Sequence, residues 1–357
     1  MYNYLWLGKT GESNAWYHIS LVVHTKIVRK LFVVRNKRPQ KEIISDKIKY
    51  FESGRSYFIL FELIKLMMCG YKALRQNKID VIITFNVFPY GFLSYLLAII
   101  FRKKLVLCFI GKDYNTHFKR LVTRYLMLKS LRYTEVIICK GRHMRDGLLK
   151  YGINEDKIHY YPHFVDDKFL EIRNHDINTE YDIITVCQLI ARKNLQLLIK
   201  GIHRLKNEDV KLRVCIVGSG PLYSNLINMV NELNLKHNIY FVGFQKNIKT
   251  FIDKSKIFIQ TSSAEGLSLS LVEAIASGLV PIVTEAGSER DIVTDGYNGI
   301  IFKKNSVEDL VRAVKEVLNP IYYTYLRSNV LNERNKYSLA NATSISNSIL
   351  KNIHYDK

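Results

Sequence analysis

Residues 260–302 read QTSSAEGLSLSLVEAIASGLVPIVTEAGSERDIVTDGYNGIIF, and the alternation of secondary structure is clearest in this segment. The apolar runs at 280–283 and 299–302 predict buried strands, and the apolar spacing in 271–277 predicts a short helix before the first of them. Apolar strands that alternate with helices are typical of parallel sheets covered on both faces. Ligands of such sheets lie at the carboxyl ends of the strands, near helix N-termini.

The same alternation extends outward from this segment through most of the chain. Further strands are predicted at residues 2–7, 31–35, 80–85, 105–109, 135–139, 157–161, 182–187, 213–217, 239–242 and 257–260. Further helices are predicted at residues 118–131, 142–151, 195–205, 222–233 and 307–318. The sequence therefore predicts an α/β protein with two Rossmann-like, doubly wound parallel-sheet domains that face a cleft.

One polar segment interrupts the series. Residues 166–180 lack periodicity and follow a turn at Pro162, so they are predicted to be the linker between the domains. The predicted domains are residues 1–167 and residues 181–330. A helical tail at 337–354 is predicted to pack back on the first domain.

Positive charge is concentrated in the first half of the chain. Residues 1–170 carry 30 basic and 13 acidic side chains, whereas residues 171–357 carry 23 and 19. A chain that is 48% hydrophobic is not a disordered polycation. The positive field implies an anionic partner, namely nucleic acid, an anionic bilayer or a phosphorylated substrate, and a merely solvated basic surface is the alternative.

The cysteines indicate the redox environment in which the protein folds, and the uncharged segment at 81–101 bears on whether the chain enters a membrane. The 5 cysteines are scattered without a C-x-x-C pair, which argues against a disulfide framework or zinc site and predicts a reducing, cytoplasmic compartment. The first residues do not resemble a signal peptide. Residues 81–101 are about long enough to span a bilayer, but Pro89 and Gly91 interrupt them. We therefore interpret them as a strand, a turn and a short helix in the core or dipping into a membrane, with a membrane span as the alternative.

Two glutamates in residues 260–302 suit ligand binding. Glu265 ends a loop after a strand, and Glu273 is predicted in the first turn of the next helix, whose free N–H groups favour a phosphate or a sugar hydroxyl. Gly266 allows a ligand to approach the backbone closely. The alternative for Glu273 is a capping box with Ser270, and the alternative for Glu265 is a solvated loop carboxylate.

Several ordered motifs resemble those of family 4 retaining glycosyltransferases, the nucleotide-sugar-dependent group 1 enzymes of GT-B fold. Glu265 and Glu273 resemble the E-x7-E element of that family, and VCQLIARKN at 186–194 resembles V-G-R-L-x-x-x-K-G/N. LRVCIVGSGPL with IYFVGF, and the run from ASGLVP to GYNG, resemble further nucleotide-domain segments. In the first domain, KIHYYPHFVD and VLCFIGKDYN resemble the pre-linker turn and the loop that faces the donor sugar. The likeness is strongest in residues 155–320 and weak in residues 1–75.

The resemblance implies a role for each matching residue. Glu273 would bind the ribose of the donor, and Glu265 would hold its sugar and support the transition state. Lys193 would neutralise the departing diphosphate, with Arg192 beside it. The remaining donor-binding candidates are Gly266, Leu267, Ser268 and Leu269 by their backbone N–H groups, with Gln188, Gly218 and Phe244. For Lys193 the alternative is an ordinary exposed lysine, and for Gly218 it is tight packing.

The chain departs from the pattern of the family at several positions. Gln188 stands where the family has an arginine, and Ile110 stands where many members have a catalytic histidine. Asp113 is predicted to hold the acceptor or the sugar, as a third catalytic candidate. Ser288 replaces the second glycine of a G-G pair, and His163 replaces an asparagine and is interpreted as structural.

Two basic runs in the first domain point to a surface partner. One spans Lys26 to Lys41 and the other spans Arg102 to Arg124, and Trp16, Tyr17, Phe101 and Phe118 interleave with them. Basic residues beside aromatic residues suit an anionic membrane, and no nucleic-acid-binding motif accompanies them. The sequence predicts no metal site and no cofactor besides the nucleotide diphosphate sugar as donor substrate.

The resemblance implies a retaining, metal-independent hexosyltransferase. Its acceptor would be a lipid-linked or membrane-proximal glycan in polysaccharide or cell-surface glycan biosynthesis, and the enzyme would lie at the cytoplasmic face of the membrane. Two alternatives remain open at this point. They are a nucleotide-sugar epimerase of the same fold and a non-catalytic relative that binds a sugar or a membrane.

Overall fold

The computed structural model describes residues 1–9, 12–38, 45–109, 113–161, 163–171, 179–265 and 268–354. The chain forms two compact units. The first contains Met1–His163 and Leu339–Lys357, and the second contains Phe164–Ser338. The predicted end of the first domain at residue 167 and the predicted start of the tail at residue 337 lie within a few residues of these divisions. The predicted start of the second domain at residue 181 is too late, because the second unit begins at Phe164.

The first unit is built on a parallel sheet of seven strands. The strands are β1 (Tyr2–Leu7), β2 (Val28–Arg35), β3 (Ile48–Glu52), β4 (Val81–Phe85), β5 (Lys104–Phe109), β6 (Val136–Cys139) and β7 (Ile158–Tyr160). The helices are α1 (Glu12–His24), α2 (Ile59–Gln76), α3 (Phe92–Phe101), α4 (Leu121–Tyr133) and α5 (Arg142–Leu149). The strand order is β3-β2-β1-β4-β5-β6-β7. The order reverses between β1 and β4, which is the arrangement of a doubly wound sheet.

The second unit repeats this plan with six strands. They are β8 (Tyr181–Val186), β9 (Val214–Val217), β10 (Ile239–Gly243), β11 (Ser255–Gln260), β12 (Val280–Thr284) and β13 (Ile300–Phe302), in the order β10-β9-β8-β11-β12-β13. Its helices are α6 (Leu195–Asn207), α7 (Tyr223–Glu232), α8 (Lys249–Ile252), α9 (Leu269–Ala276), α10 (Val307–Leu318) and α11 (Pro320–Glu333). The strands β8, β9, β11 and β12 are mostly buried, because helices cover both faces of the sheet.

The final helix, α12 (Leu339–Lys351), returns to the first unit and packs on α1. Tyr4 Oη lies 3.1 Å from His354 Nε2, and Lys104 Nζ donates to the Ile353 carbonyl at 2.7 Å. These contacts tie the segment after α12 to strands β1 and β5.

The start of the predicted linker, residues 166–171, belongs to the second unit, because the units divide between His163 and Phe164. Val165 and Phe169 are at most 3% exposed and pack in the core of the second unit, and Val165 N donates to the Tyr337 carbonyl of that unit at 3.0 Å. Residues 172–178 of the predicted linker lie outside the described residues.

Strand β3 was not predicted, because it is an edge strand of IKYFE that is only half buried and lacks a continuous apolar run. The segment at 81–101 forms the fully buried strand β4, a π-helical turn at Val87–Gly91 and helix α3. Within the described ranges, no helix has both the length and the apolar character needed to cross a bilayer. None of the five cysteines, all of which lie within the described ranges, forms a disulfide bond.

Candidate active site

The strand order of the second unit reverses between β8 and β11. A reversal of this kind opens a crevice at the carboxyl ends of the two strands, because the following loops turn away in opposite directions. Residues 187–194 follow β8 and residues 261–265 follow β11. Lys193 and Glu265, two of the predicted catalytic residues, therefore arise on the two sides of this point.

An ion-paired cluster joins these loops. The carboxylate of Glu265 accepts hydrogen bonds from Lys193 Nζ and from Arg192 Nη1, the latter at 2.9 Å. The side chains of Lys193 and Glu265 are each 11% exposed, whereas that of Arg192 is 44% exposed. A charge-assisted pair with so little exposure is not a solvated loop carboxylate beside an ordinary surface lysine. Both of those alternatives are therefore wrong.

Hydrogen bonds to the backbone hold the two loops together. Thr261 Oγ1 donates to the Lys193 carbonyl at 2.9 Å, and Ser263 N donates to the Arg192 carbonyl at 2.8 Å. Arg192 Nη1 also donates to the Ala264 carbonyl at 3.0 Å. The short 3₁₀ turn Ala191–Lys193 is thus anchored to the loop after β11, which fixes the direction of both cations.

The charge state of Glu265 follows from these contacts. Burial by itself would raise the pKa of the Glu265 carboxyl, but Lys193 and then Arg192 outweigh burial and hold that pKa below its ordinary value. Glu265 is therefore an anion at neutral pH. The cluster as a whole carries one negative and two positive charges, which leaves a net positive charge at the carboxyl end of the sheet.

Helix α9 begins close to this cluster, but it differs from the prediction. Its N-cap is Ser268, and Ser270 Oγ donates to the Val186 carbonyl at 2.9 Å, so Ser270 does not cap the helix. The capping-box alternative is therefore wrong, and Glu273 lies in the second turn of α9 rather than the first. Glu273 is half buried, and Leu269 is the first helical residue. Gly266 and Leu267 lie outside the described residues.

The other donor-binding candidates lie at the same edge of the sheet. Gln188 is exposed directly after β8, and Phe244 is 70% exposed directly after β10. Gly218 N donates to the Gly243 carbonyl at 2.8 Å, so the loops after β9 and β10 adjoin. A Cβ atom on Gly218 would lie 1.8 Å from the Cys187 carbonyl oxygen, which supports the tight-packing alternative for this glycine.

Asp113, the predicted catalytic residue of the first unit, is buried and hydrogen-bonded to the backbone. It is 1% exposed, and its carboxylate accepts hydrogen bonds from Val87 N at 2.9 Å and Phe88 N at 3.2 Å. These bonds hold the turn that follows β4, at the switch point of the first sheet. A direct contact of Asp113 with an acceptor or sugar stays a prediction, and Ile110 lies outside the described residues.

His163, interpreted as structural, packs beside Tyr161, with the two ring centroids 5.5 Å apart. Burial, followed by the nearby cation of Lys140, lowers the pKa of His163 to about 3. The ring is therefore neutral at physiological pH. This agrees with its interpretation as a structural residue.

Glu289 is a site residue that the sequence analysis did not identify. It is 1% exposed, and its Oε1 accepts from Gln260 Nε2 at 2.8 Å. Its Oε2 accepts from Ala286 N at 3.2 Å, while the Ala286 carbonyl accepts from Glu265 N at 2.9 Å. Glu289 thus positions the backbone of Glu265 through the backbone of Ala286. Two features of the sequence could have identified Glu289. Strand β11 ends on a polar residue, Gln260, and Glu289 itself is an acidic residue directly after Gly287-Ser288.

Glu289 makes the stability of the fold depend on pH. Burial raises the pKa of its carboxyl from 4.5 to about 7. Because the native carboxyl binds its proton more tightly than the unfolded one, its contribution is fully present below pH 4.5 and is lost as the pH rises towards 7. We expect Glu289→Gln to remove this loss, on the order of 2–3 kcal/mol in the free energy of unfolding.

Urea unfolding of the wild type and of Glu289→Gln across this pH range measures the effect. Glu232→Gln on the exposed end of α7 is the matched control and should leave the pH dependence of the wild type unchanged. The same slope in wild type and Glu289→Gln would contradict the assignment of the raised pKa to Glu289.

Two family models match the chain in succession. Residues 35–169 match the model described as Glycosyltransferase Family 4, and residues 167–329 match the model described as Glycosyl transferases group 1. The first model thus matches the first unit from residue 35 onward, and the second model matches the second unit as far as residue 329, within α11. The two matches meet at residues 167–169, near the start of the second unit.

Three curated relatives illustrate the similarity. An uncharacterized glycosyltransferase of Methanocaldococcus jannaschii is 24% identical over 281 residues, which are 78% of this chain and 76% of the relative. The UDP-Gal:alpha-D-GlcNAc-diphosphoundecaprenol alpha-1,3-galactosyltransferase of Escherichia coli is 23% identical, with 79% of each chain covered. The poly(glycerol-phosphate) alpha-glucosyltransferase of Bacillus subtilis is 27% identical over 57% of this chain, which spans only 31% of that relative's length.

Solved structures show the same fold. HepE of Anabaena in complex with UDP superposes with a TM-score of 0.80 at 15% identity, covering 98% of this chain and 99% of HepE. A glycosyltransferase of Rickettsia africae superposes with a TM-score of 0.79 at 17% identity, covering 100% and 99% of the two chains. The two doubly wound parallel sheets of this chain are thus those of the GT-B fold.

Proposed function

This chain belongs to the family 4 glycosyltransferases, the group 1 glycosyl transferases, and from that premise we propose that it is a retaining enzyme that transfers a hexosyl group from a nucleotide diphosphate sugar. One observation carries the proposal. Lys193 and Arg192 both bind Glu265 at the switch point of the second sheet, where a doubly wound fold binds nucleotides.

The charges of this cluster suit a diphosphate leaving group. During transfer, the bond between the sugar's anomeric carbon and the diphosphate oxygen breaks, and negative charge grows on the diphosphate. Preorganised cations stabilise such charge most when little water surrounds them. Lys193 is largely shielded from solvent, and Glu265 holds its ammonium group in place without neutralising both cations. In this proposal Arg192, which is more exposed, turns to the second phosphate.

The hydroxyl oxygen of the acceptor forms the new bond to the sugar. This oxygen attacks the anomeric carbon on the face that the diphosphate leaves, and its proton passes to the departing diphosphate oxygen. No protein nucleophile is required on this route, so the missing histidine at Ile110 does not prevent it. We propose that metal ions are not required either, because the cations and the start of α9 supply the positive charge.

The acceptor we propose is a lipid-linked or membrane-proximal glycan, and the enzyme would act at the cytoplasmic face of a membrane. Support comes from relatives such as the Escherichia coli galactosyltransferase, whose name specifies a diphosphoundecaprenol-linked acceptor. The net positive charge of the first 170 residues agrees with a partner that carries phosphate groups.

Donor binding tests the role of Glu273. Glu273→Ala is expected to weaken the binding of a nucleotide diphosphate sugar about 10- to 100-fold, because hydrogen bonds from ribose hydroxyls to a carboxylate are lost. Isothermal titration calorimetry measures the affinity, and Glu232→Ala on the exposed end of α7 is the control. Unchanged affinity in Glu273→Ala would contradict the ribose role.

A panel of nucleotide sugars, with and without a lipid extract, tests the reaction class. We expect release of nucleotide diphosphate that depends on the extract. Conversion of the donor without an extract would instead indicate an epimerase, and donor binding without any conversion would indicate a non-catalytic relative.

A further inference from the structure

Helix α2 of the first unit exposes a large apolar surface. Phe61, Ile64, Met68 and Tyr71 follow one another at helical spacing in α2 and are all exposed. Tyr57 and Phe58, just before the helix, and Ile59 and Leu60, its first two residues, are exposed as well. We call these eight side chains the α2 surface. Monomeric proteins rarely expose so many contiguous large apolar groups without a binding partner.

The charged side chains that helix α2 exposes are all basic. Lys65, Lys72 and Arg75 lie on the exposed side of α2 and flank the apolar stripe. The single acidic residue of the helix, Glu62, is turned inward, where it accepts from Lys9 Nζ at 3.0 Å and from Asn36 Nδ2 at 2.9 Å. The surface therefore presents apolar and cationic groups together, which is the composition of interfacial membrane-binding helices.

The neighbouring helices extend this pattern. Helix α2 packs on α3, and α3 packs on α4. Leu121, Val122 and Tyr125, in the first turns of α4, are each at least 66% exposed. Residues 54–134 contain 14 basic and 3 acidic residues, and two of the three acids, Glu62 and Asp113, are at most 3% exposed. The part of the chain that contains the apolar surface therefore carries a large excess of positive charge.

The position of this surface matters for the acceptor. Helix α2 begins after β3, and α4 begins after β5, so the exposed starts of both helices lie at the carboxyl edge of the first sheet. That edge is where doubly wound sheets bind their ligands. A membrane in contact with the α2 surface would therefore lie beside the ligand-binding edge of the first unit.

This surface differs from the one that the sequence suggested. Tyr17 and Phe118, predicted to interleave with the basic runs, are buried in the core, and Arg35 of the first run is 3% exposed. They contribute nothing to an interaction surface. The apolar groups that do so lie in residues 57–71, which the sequence analysis did not single out.

We propose that the α2 surface inserts into the interface of an anionic lipid bilayer, with Phe58 and Phe61 among the apolar side chains and Lys65 and Lys72 at the phosphate level. The charge complementarity selects an anionic bilayer over a second copy of this chain, because two copies would bring their cationic residues together. The proposal identifies the surface by which the enzyme would reach a membrane-proximal acceptor. It rests on the proposed function only in assigning that acceptor. Vesicle binding itself is independent of glycosyl transfer.

Co-sedimentation of the full chain with vesicles tests the proposal. We expect binding to vesicles of phosphatidylcholine with phosphatidylglycerol, little binding to phosphatidylcholine alone, and weaker binding at high salt. Phe58→Ser/Phe61→Ser is expected to lower the partition coefficient about 100-fold, because two exposed phenyl rings no longer enter the bilayer. Lys65→Gln/Lys72→Gln should lower it about 10-fold or more, and only on the anionic vesicles.

The matched control is Ile321→Ser, which removes an apolar side chain that is 83% exposed on the second unit. It should bind vesicles like the wild type, and all variants should keep the wild-type melting temperature and donor affinity. Donor binding without vesicle binding in the wild type would overturn this inference and leave the proposed function intact. Loss of a dimer in Phe58→Ser/Phe61→Ser, with vesicle binding unchanged, would assign the surface to self-association and overturn the inference as well.

Discussion

Lys193→Met is expected to lower the turnover of donor about 10²- to 10³-fold, with the largest effect on kcat. The substitution keeps the volume of the side chain but removes the cation that we place against the departing diphosphate. Because the charge it stabilises develops as the glycosidic bond breaks, the loss should fall on the transition state more than on donor binding. Steady-state release of nucleotide diphosphate measures kcat and KM separately.

Two further variants separate catalysis from folding. Lys193→Met leaves Glu265 with Arg192 as its remaining cationic partner, so the fold should lose some stability. The double variant Lys193→Met/Glu265→Gln removes both charges of that pair and should recover stability without recovering activity. Lys200→Gln, on the exposed side of α6, is the matched control. Wild-type kcat in Lys193→Met would contradict the role of Lys193.

Gly218→Ala is expected to reduce the free energy of unfolding by about 3–5 kcal/mol. The backbone of Gly218 has a φ of 142°, and an added Cβ would lie 1.8 Å from the Cys187 carbonyl oxygen. The neighbouring backbone is held by hydrogen bonds between strands β8 and β9 and cannot retreat without breaking them. The free-energy cost of the backbone strain and the cost of the overlap with Cys187 therefore add to one another.

Urea unfolding compares this variant with Gly152→Ala. Gly152 also has a positive φ, of 72°, but nothing lies within 4 Å of the Cβ it would gain, so only the backbone cost of about 1–2 kcal/mol applies. Equal losses in the two variants would contradict the packing role of Gly218. Full stability with loss of donor affinity alone would favour the ligand contact instead.

Much of the fold was predictable, because the strands are short apolar runs with local boundaries. Strands β1, β4, β9 and β12 lie within one residue of their predicted bounds. Strand β3 was missed because an edge strand is half exposed and its sequence need not be apolar. Residues 166–171 were wrongly assigned to a linker because charged residues surround Phe169, although Phe169 is buried in the second unit.

The candidate site was predictable in its residues but not in its contacts. Glu265, Lys193 and Glu273 were identified from spacing and from the resemblance to a family. The capping box of Ser270 was inferred from the spacing of neighbouring residues. It is wrong because Ser270 Oγ donates its hydrogen bond to the Val186 carbonyl, 84 positions away in the chain. Glu289 was missed for the same reason, since its partner Gln260 lies 29 positions away.

The sequence by itself determined the two α/β sheets and the excess of positive charge in the first half, because apolar periodicity and composition are local properties. It also identified the two glutamates around α9. Only the tertiary structure decided which residues meet. Lys193 and Glu265, 72 positions apart, pair because β8 and β11 are neighbours in the sheet. The α2 surface is exposed because α2 turns Glu62 and Leu66 inward. Apolar residues lie on both faces of this helix, so their periodicity alone does not identify the face that packs against the sheet.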